Sequence, residues 1–310
     1  MTNATKSLAI IFVALAVITA AVEMSSGPAA SQAFTSKLVS VDTSRVNKIV
    51  IDKPESPSIT LSKSNNKWMV SNENGDQYPA SRSTVNRALL QLNGLKVSSV
   101  ATRDPQKYTR YKVDSTGTKV TLYNGDDQLS SLIIGAPQIE SRREFNNCVR
   151  RPSDKTVYAV QGFLGPSFSK KLNDWRNKTV WDVDRSDISQ LNFLYPADSS
   201  FSIKRTYAHK WVSRGDTLSA TSLSPILRNL STLRVDGFAN ALSVDDFGTE
   251  QYAIQLQLKS GDQHRLRIKS SPADSTHYLG VAKGFPYVFK LNKSSWDRIV
   301  LKSRRDLLQK

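Results

Sequence analysis

The sequence predicts an α+β fold in which one unit, of roughly three strands, a helix, four strands and a helix, occurs twice in tandem behind an N-terminal transmembrane helix. Three observations predict it: a long apolar stretch near the start of the chain, a leucine-rich segment that recurs, and short runs of alternating apolar and polar residues. The predicted segments are a signal anchor at residues 1–24, a linker at 25–43, a first repeat unit at 44–180 and a second at 181–310. Antiparallel sheets with helices on one face are expected, because most connections are too short for parallel crossovers.

The apolar stretch runs from Leu8 to Val22 without a charged residue and follows Lys6. It approaches the roughly 20 residues that span a bilayer core, and a buried helix of a soluble domain is seldom apolar on every face. We therefore expect an uncleaved anchor that places the rest of the chain on the periplasmic side of the inner membrane. Cleavage after the small residues Ser31-Gln32-Ala33 is the alternative.

The internal repeat is clearest in one segment. Residues 85–101 align without gaps to residues 223–239, with leucines or other apolar residues at matching positions that have helical spacing. Two pairs of tryptophans flank this segment in the same order, Trp68 with Trp211 and Trp175 with Trp296.

Alternating runs predict seven strands in each copy. In the first copy they are residues 48–52, 58–63, 67–71, 120–123, 131–134, 145–150 and 157–160. In the second copy they are residues 190–194, 201–205, 210–213, 254–258, 264–268, 277–282 and 287–291. Each copy is expected to close with a helix, at residues 167–176 and 294–308.

The chain is strongly basic, with a formal net charge of +16. Excess positive charge favours anionic partners. Arg142, Arg143, Arg150 and Arg151 are the candidate binding residues, since four guanidinium groups along one strand edge or loop rim could bind phosphate or carboxylate groups. The alternative is a strand edge kept basic to prevent edge-to-edge pairing.

Catalytic and metal-binding signatures are not found in the sequence. The three histidines are isolated from one another and from the single cysteine, so no metal and no cofactor is predicted. The acidic pair Asp126-Asp127 follows Asn124-Gly125, which is typical of a hairpin turn. A hydrolase that acts on glycan or peptide through dispersed acids such as Asp126, Asp245 or Asp246 stays open as the alternative, because carboxylate pairs can come from distant positions.

Several packing and turn residues resemble a known family. They are the opening KIVID, the leucine helix, Asp104, Tyr108, Tyr111 and Asp114 before KVTLYNG, Leu132 to Gly135, and Trp175-Arg176-Asn177-Lys178. The pattern is similar to the bacterial domain of unknown function 4340. The resemblance implies a single-anchor envelope protein, often associated with auxiliary ABC-transport systems of the gliding type, and it carries over no catalytic residues.

The functional expectation is therefore a non-enzymatic, extracytoplasmic binding or scaffold component of the cell envelope. Its expected partners are the membrane, through the N-terminal helix, and either ABC-transport subunits or an anionic envelope polymer. Nucleic acid is not expected, because the anchor would hold the chain outside the cytoplasm.

Overall fold

The computed structural model describes residues 38–141, 144–162 and 164–308. The predicted anchor lies at residues 1–24 and is outside these ranges. Among the described residues, no helix is both long enough and apolar enough to cross a bilayer. The predicted segment boundaries at residues 24, 43 and 180 stay predictions.

The α+β classification is wrong, because antiparallel β-sheet dominates the described chain. The helices are α1 (Arg82–Asn93), α2 (Tyr108–Tyr111), α3 (Gly165–Phe168), α4 (Leu172–Trp175), α5 (Ala220–Ser231) and α6 (Lys293–Val300). Only α1, α5 and α6 are longer than a single turn. Short 3-10 turns lie at Thr43–Arg45, Pro105–Lys107, Arg185–Asp187, Asp245–Phe247 and Arg304–Leu307.

The first sheet has nine strands in the order β4-β3-β2-β1-β6-β7-β8-β9-β5. The strands are β1 (Lys48–Lys53), β2 (Ser56–Ser64), β3 (Lys67–Asn72), β4 (Gln77–Pro79), β5 (Val97–Thr102), β6 (Thr118–Asn124), β7 (Asp127–Ser141), β8 (Glu144–Arg150) and β9 (Val157–Gln161).

The second sheet also has nine strands, in the order β14-β13-β12-β11-β17-β18-β19-β20-β16. They are β11 (Ile188–Leu194), β12 (Phe201–Arg205), β13 (Trp211–Ser213), β14 (Asp216–Thr217), β16 (Gly237–Phe238), β17 (Tyr252–Leu258), β18 (Gln263–Ser270), β19 (His277–Ala282) and β20 (Phe285–Asn292). A separate two-stranded sheet joins β10 (Thr179–Asp182) to β15 (Thr232–Arg234).

The two large sheets have the same order of strands along the chain. In each, four strands precede the long helix, and a four-strand meander ends the sheet. Between them, the next strand of that sheet, β5 in the first and β16 in the second, pairs at the far edge. The predicted order of three strands, helix, four strands and helix is therefore wrong at the edges. The missed edge strands β4, β14 and β16 are two or three residues long, too short to show an alternating pattern. The edge strand β5 was also missed; it has six residues but buries none of them, so it has no apolar face that alternates with a polar one.

The described chain forms two compact units, residues 38–64 with 85–169, and residues 65–84 with 170–308. In the second unit α5 buries Leu223, Ile226, Leu227 and Leu230 in one large core with residues of the second sheet. In the first unit the matching positions of α1, Val85, Ala88, Leu89 and Leu92, are likewise buried.

Each large sheet also carries a small apolar cluster formed with the loop that precedes the meander. In the first sheet Ile133, Cys148 and Val157 pack with Val113, and in the second Leu279, Val281 and Val288 pack with Phe247. Cys148 is fully buried, and burial raises the pKa of its thiol to about 11, so this cysteine is a packing residue.

The start of α1 is held by three bonds, which we call the α1 joint. The N–H of Ala80 donates to the carbonyl of Trp68 (2.8 Å), the N–H of Ser81 donates to the carbonyl of Trp175 (2.7 Å), and Ser81 Oγ caps the helix by accepting from the N–H of Thr84 (3.3 Å). Ala80 also forms an isolated antiparallel bridge with Arg176.

The start of α5, the α5 joint, has the same arrangement. The N–H of Leu218 donates to the carbonyl of Trp211 (2.8 Å), the N–H of Ser219 donates to the carbonyl of Leu307 (2.8 Å), and Leu218 bridges Leu308. Trp68 and Trp211 are thus equivalent, as the sequence alignment has them. The pairing of Trp175 with Trp296 is wrong, because Leu307 makes the bond in the α5 joint that Trp175 makes in the α1 joint.

The predicted closing helices, at 167–176 and 294–308, are each interrupted. The carboxylate of Asp174 accepts the N–H of Lys171 (3.1 Å), and the carboxylate of Asp306 accepts the N–H of Ser303 (2.8 Å). A side chain that accepts a backbone N–H three residues earlier starts a new helical turn. This is why α4 is separate from α3, and the 3-10 turn Arg304–Leu307 is separate from α6.

Candidate anion-binding sites

Arg150, a candidate from the sequence, binds carbonyl oxygens of its own unit. Its Nε donates to the carbonyl of Val113 (3.0 Å), and its Nη1 donates to the carbonyl of Asp154 (3.2 Å). The guanidinium carbon lies 4.4 Å from the centre of the Tyr108 ring. These contacts hold the loop that carries Tyr108 and Val113 against the sheet, so the Arg150 side chain stabilises the fold.

Arg151 also donates to the backbone. Its Nε and Nη2 both bind the carbonyl oxygen of Leu38, at 3.1 Å for Nε. It also lines a cavity of about 420 Å³ together with Ser130 and Ser153. Arg142 and Arg143 lie outside the described residues. An anion-binding role for the four arginines stays a prediction.

A basic groove of about 860 Å³ lies at the α5 joint. Its cationic side chains are Lys210, Lys302 and Arg305, and the hydroxyl groups of Ser219 and Thr221 share its wall. None of the three cations forms an ion pair with a carboxylate in the described part of the chain.

The groove has an electrostatic bias toward anions. Its one carboxylate, on Asp306, accepts from the backbone and hydroxyl of Ser303. These hydrogen bonds, with a smaller contribution from the charge of Lys302, hold the pKa of Asp306 below its usual value. The groove also faces the first turn of α5, where the helix dipole adds partial positive charge. These groups can attract and hold an anion on a partner.

Arg176 is a buried cation, with 1% of its surface exposed. Its guanidinium carbon lies 3.4 Å from the centre of the Phe238 ring, 3.7 Å from that of Tyr78 and 4.6 Å from that of Tyr287. All four residues belong to the second unit. Three aromatic faces at these distances compensate part of the cost of burying the charge, because each attracts a desolvated cation.

The hydrogen bonds of Arg176 are made to neutral groups. Nη1 donates to the amide oxygens of Asn240 (2.7 Å) and Asn173 (3.1 Å), whereas Nη2 is buried and has no acceptor. No carboxylate of the described chain forms an ion pair with this guanidinium. Burial lowers the pKa of Arg176 from its ordinary value, and the nearby Tyr78, Tyr287 and the carboxylate of Asp76 oppose this shift. An arginine stays protonated at any physiological pH.

A family model described as "Domain of unknown function (DUF4340)" matches residues 71–253, more than half of the chain. The chain belongs to the DUF4340 family. No curated protein and no solved structure shows significant similarity to it. The match confirms the family that the sequence pattern resembles, and it includes Tyr78, Arg176 and Asn240, whereas Lys302 and Arg305 lie beyond it.

The acidic residues considered for a hydrolase in this DUF4340 chain are exposed and lie in turns. Asp126 is in the turn between β6 and β7, and Asp245 and Asp246 are in a 3-10 turn, where Asp246 accepts a hydrogen bond from Ser243 Oγ (2.6 Å). A hydrolytic role for them stays a prediction.

The histidines are separated in the structure. His209 lines the basic groove, His264 stacks against Trp181 with 5.1 Å between ring centres, and Nδ1 of His277 lies 3.0 Å from a carboxylate oxygen of Asp274. Within the described ranges, no three His, Cys, Asp or Glu residues are grouped so that they could hold a metal ion.

Sequence reasoning missed both sites. The groove combines a hairpin, a helix start and the last turn of the described chain, and only the basic pair Arg304-Arg305 signals it. Arg176 meets aromatic rings from positions 78, 238 and 287, which are far apart in sequence. Its local signal is an arginine directly after a tryptophan that reads as a core residue.

Proposed function

We propose that this protein is a non-catalytic binding component of the bacterial cell envelope that recognises anionic groups on a partner through the basic groove at the α5 joint. The observation that carries the proposal is the cluster of Lys210, Lys302 and Arg305, three cations without a carboxylate partner in the described residues around a groove of about 860 Å³.

The chemistry of the groove supports binding of anions. Ammonium, guanidinium and hydroxyl groups are hydrogen-bond donors for phosphate, sulfate and carboxylate oxygens. Three like charges held close together also raise the local electrostatic potential, and the net charge of +16 on the whole chain adds a long-range attraction.

The proposed partner is a subunit of an ABC-type transport system with an acidic face, with an anionic envelope polymer as the other source of the same chemistry. The proposed location is extracytoplasmic, with the protein held at the inner membrane. The apolar stretch at residues 8–22 supports this location. The resemblance to the DUF4340 family also supports it, because that resemblance implies a single-anchor envelope protein.

The test is affinity purification of the full-length protein from gently solubilised, cross-linked membranes, followed by mass spectrometry. Wild type is compared with the double variant Lys302→Ala/Arg305→Ala. The matched control, Arg87→Ala/Lys96→Ala, removes the same charge from two exposed residues.

We expect wild type and the control to recover transport subunits and the groove variant to lose them. Polyphosphate binding, measured in parallel at rising salt, would identify the polymer as the partner if the subunits are not recovered. Equal recovery and equal polymer binding by the groove variant would contradict the proposal.

A further inference from the structure

The buried donor of Arg176 that has no acceptor, Nη2, is a second, separate feature of the chain. We propose that Arg176 is a binding site for a carboxylate of an acidic peptide segment, and that Asn240 covers this site until the carboxylate replaces it. The proposal rests on the contacts of Arg176 and does not depend on the basic groove.

The aromatic rings fix the direction from which a ligand can bind. Phe238 and Tyr78 lie at stacking distances from the guanidinium, so its hydrogen bonds are made in its plane. Tyr287, whose ring is inclined by 65° to Tyr78 and by 84° to Phe238, borders that plane on one side. In that plane, Nη1 is bound by amide oxygens and Nη2 has no acceptor. A carboxylate is flat and can bind two neighbouring N–H groups of one guanidinium in the same plane, whereas a tetrahedral phosphate fits less well between stacked rings.

The unfilled donor makes this exchange favourable. A buried N–H without an acceptor is unfavourable, and a hydrogen bond to a charged partner is stronger than one to a neutral amide. A carboxylate in place of the Asn240 amide would fill Nη2, strengthen the bond to Nη1 and neutralise a buried charge.

Asn240 is suited to act as a cover. Its residue is exposed, and it follows Ala239, whose N–H donates to the carbonyl of Val288 (2.9 Å). The backbone is thus fixed on one side while the side chain of Asn240 borders solvent. Tyr78 and Tyr287 are also only partly buried, so three of the residues that contact the guanidinium reach the solvent.

The charge itself is not required by the local fold. In the α5 joint the position that corresponds to Arg176 is occupied by Leu308, and the same backbone bonds form. An apolar residue therefore satisfies this backbone frame, which leaves the cation of the α1 joint available for a ligand.

The test uses calorimetric titration of the full-length protein with an acidic peptide of alternating Ala and Glu. Asn240→Asp supplies a carboxylate from the chain itself, and we expect it to raise the melting temperature and to weaken peptide binding by about ten- to a hundredfold, the loss of one or two charge-assisted hydrogen bonds. Asn240→Ser shortens the cover and is expected to tighten binding.

Asn177→Asp is the matched control, because it adds the same charge at an exposed neighbour whose amide oxygen accepts from the N–H of Thr179 instead of the guanidinium. Its effect should stay within about fivefold, as for a surface charge. No binding by wild type, equal binding by Asn240→Asp and wild type, or tighter binding of inorganic phosphate than of the peptide would each overturn the proposal.

The groove variant Lys302→Ala/Arg305→Ala separates the two sites. Because the groove can also bind carboxylates, we expect this variant to keep part of the peptide binding. A further weakening of that part by Asn240→Asp in the groove-variant background supports a site at Arg176. If the variant loses the peptide, the peptide binds in the groove, so the inference about Arg176 fails while the proposed function stands.

Discussion

The α1 joint and the α5 joint have the same backbone hydrogen bonds but different side chains at equivalent positions. In both, a tryptophan carbonyl binds the residue before the helix cap, and the carbonyl of a residue about 90 positions later binds the cap itself. The next residue is Arg176 in one joint and Leu308 in the other. Arg176 is surrounded by aromatic rings, whereas Leu308 packs against the large core and borders the basic groove.

The difference shows which parts of the joint are needed for folding. Backbone hydrogen bonds and the serine cap recur, so they form the common frame, whereas the side chain after the closing bond varies in charge and size. Sites with different chemistry can therefore arise at equivalent positions of one frame, a buried cation in the α1 joint and an open basic groove in the α5 joint.

The largest expected effect on stability comes from truncating the side chains at these two positions, Arg176 and Leu308, to alanine. Arg176→Ala removes a fully buried side chain from between aromatic rings and should lower the free energy of unfolding by about 3 kcal/mol. Leu308→Ala removes a partly buried side chain and should cost about 1 kcal/mol. Urea denaturation of both variants measures the difference.

Arg176→Met separates charge from volume in the same assay. Because replacing a buried charge by an apolar side chain of similar size is often neutral, we expect a smaller loss than for Arg176→Ala. If Arg176→Ala lowers the free energy of unfolding no more than Leu308→Ala does, the contacts between Arg176 and the aromatic rings contribute little to stability.

The serine caps test the part that the joints share. Ser81 Oγ accepts from the N–H of Thr84, and Ser219 Oγ accepts from the N–H of Ser222 (3.3 Å). Ser81→Ala and Ser219→Ala each remove this acceptor, and each should lower the free energy of unfolding by about 1 kcal/mol. The same denaturation assay measures both, with Ser224→Ala, inside α5, as a control for loss of a hydroxyl at a helical position. Costs that differ strongly between the two caps would contradict a common frame.

The smallest expected effect concerns the two loops that precede the meanders and form the small apolar clusters, the loop with Val113 in the first sheet and the loop with Phe247 in the second. The hydroxyl of Thr109 (2.6 Å) and the hydroxyl and N–H of Thr116 (2.6 and 3.0 Å) donate to the Asp114 carboxylate, and they lower its pKa to about 2. A carboxyl whose pKa is lower in the folded state stabilises the fold above its unfolded pKa of about 3.9, and this contribution is lost as the pH falls through about 2.

Asp114→Asn should therefore flatten the loss of stability between about pH 4 and pH 2, as measured by denaturation at each pH. The comparable loop of the second sheet has Asp246, and Asp246→Asn is the matched control. An unchanged pH profile for Asp114→Asn would show that other carboxylates govern acid unfolding.

The central strands could be predicted from the sequence because each shows its burial pattern locally. Ile49 and Ile51 are buried between half-exposed neighbours, and the same alternation marks Phe201 and Ile203. The helices α1 and α5 follow from leucines at helical spacing, and Trp68 and Trp211 occupy equivalent positions.

The fold class and the sites were not predictable in the same way. The closing helices looked continuous, because the carboxylates of Asp174 and Asp306 start new turns through hydrogen bonds that hydrophobic spacing does not show. Matching Trp175 to Trp296 followed residue type, whereas the backbone equivalent is Leu307. The environment of Arg176 depends on contacts between residues more than 60 positions apart, for which a single sequence has no local signal.

The late closure of each joint has a consequence for the order of events during synthesis. The α1 joint is complete only after Trp175 has left the ribosome, and the α5 joint only after Leu307. At translation rates of about 5–20 residues per second, either helix waits several seconds for its closing carbonyl. During that interval α5 lacks the hydrogen bond between Ser219 and Leu307. Its apolar face is then the segment that a chaperone would bind on the growing chain.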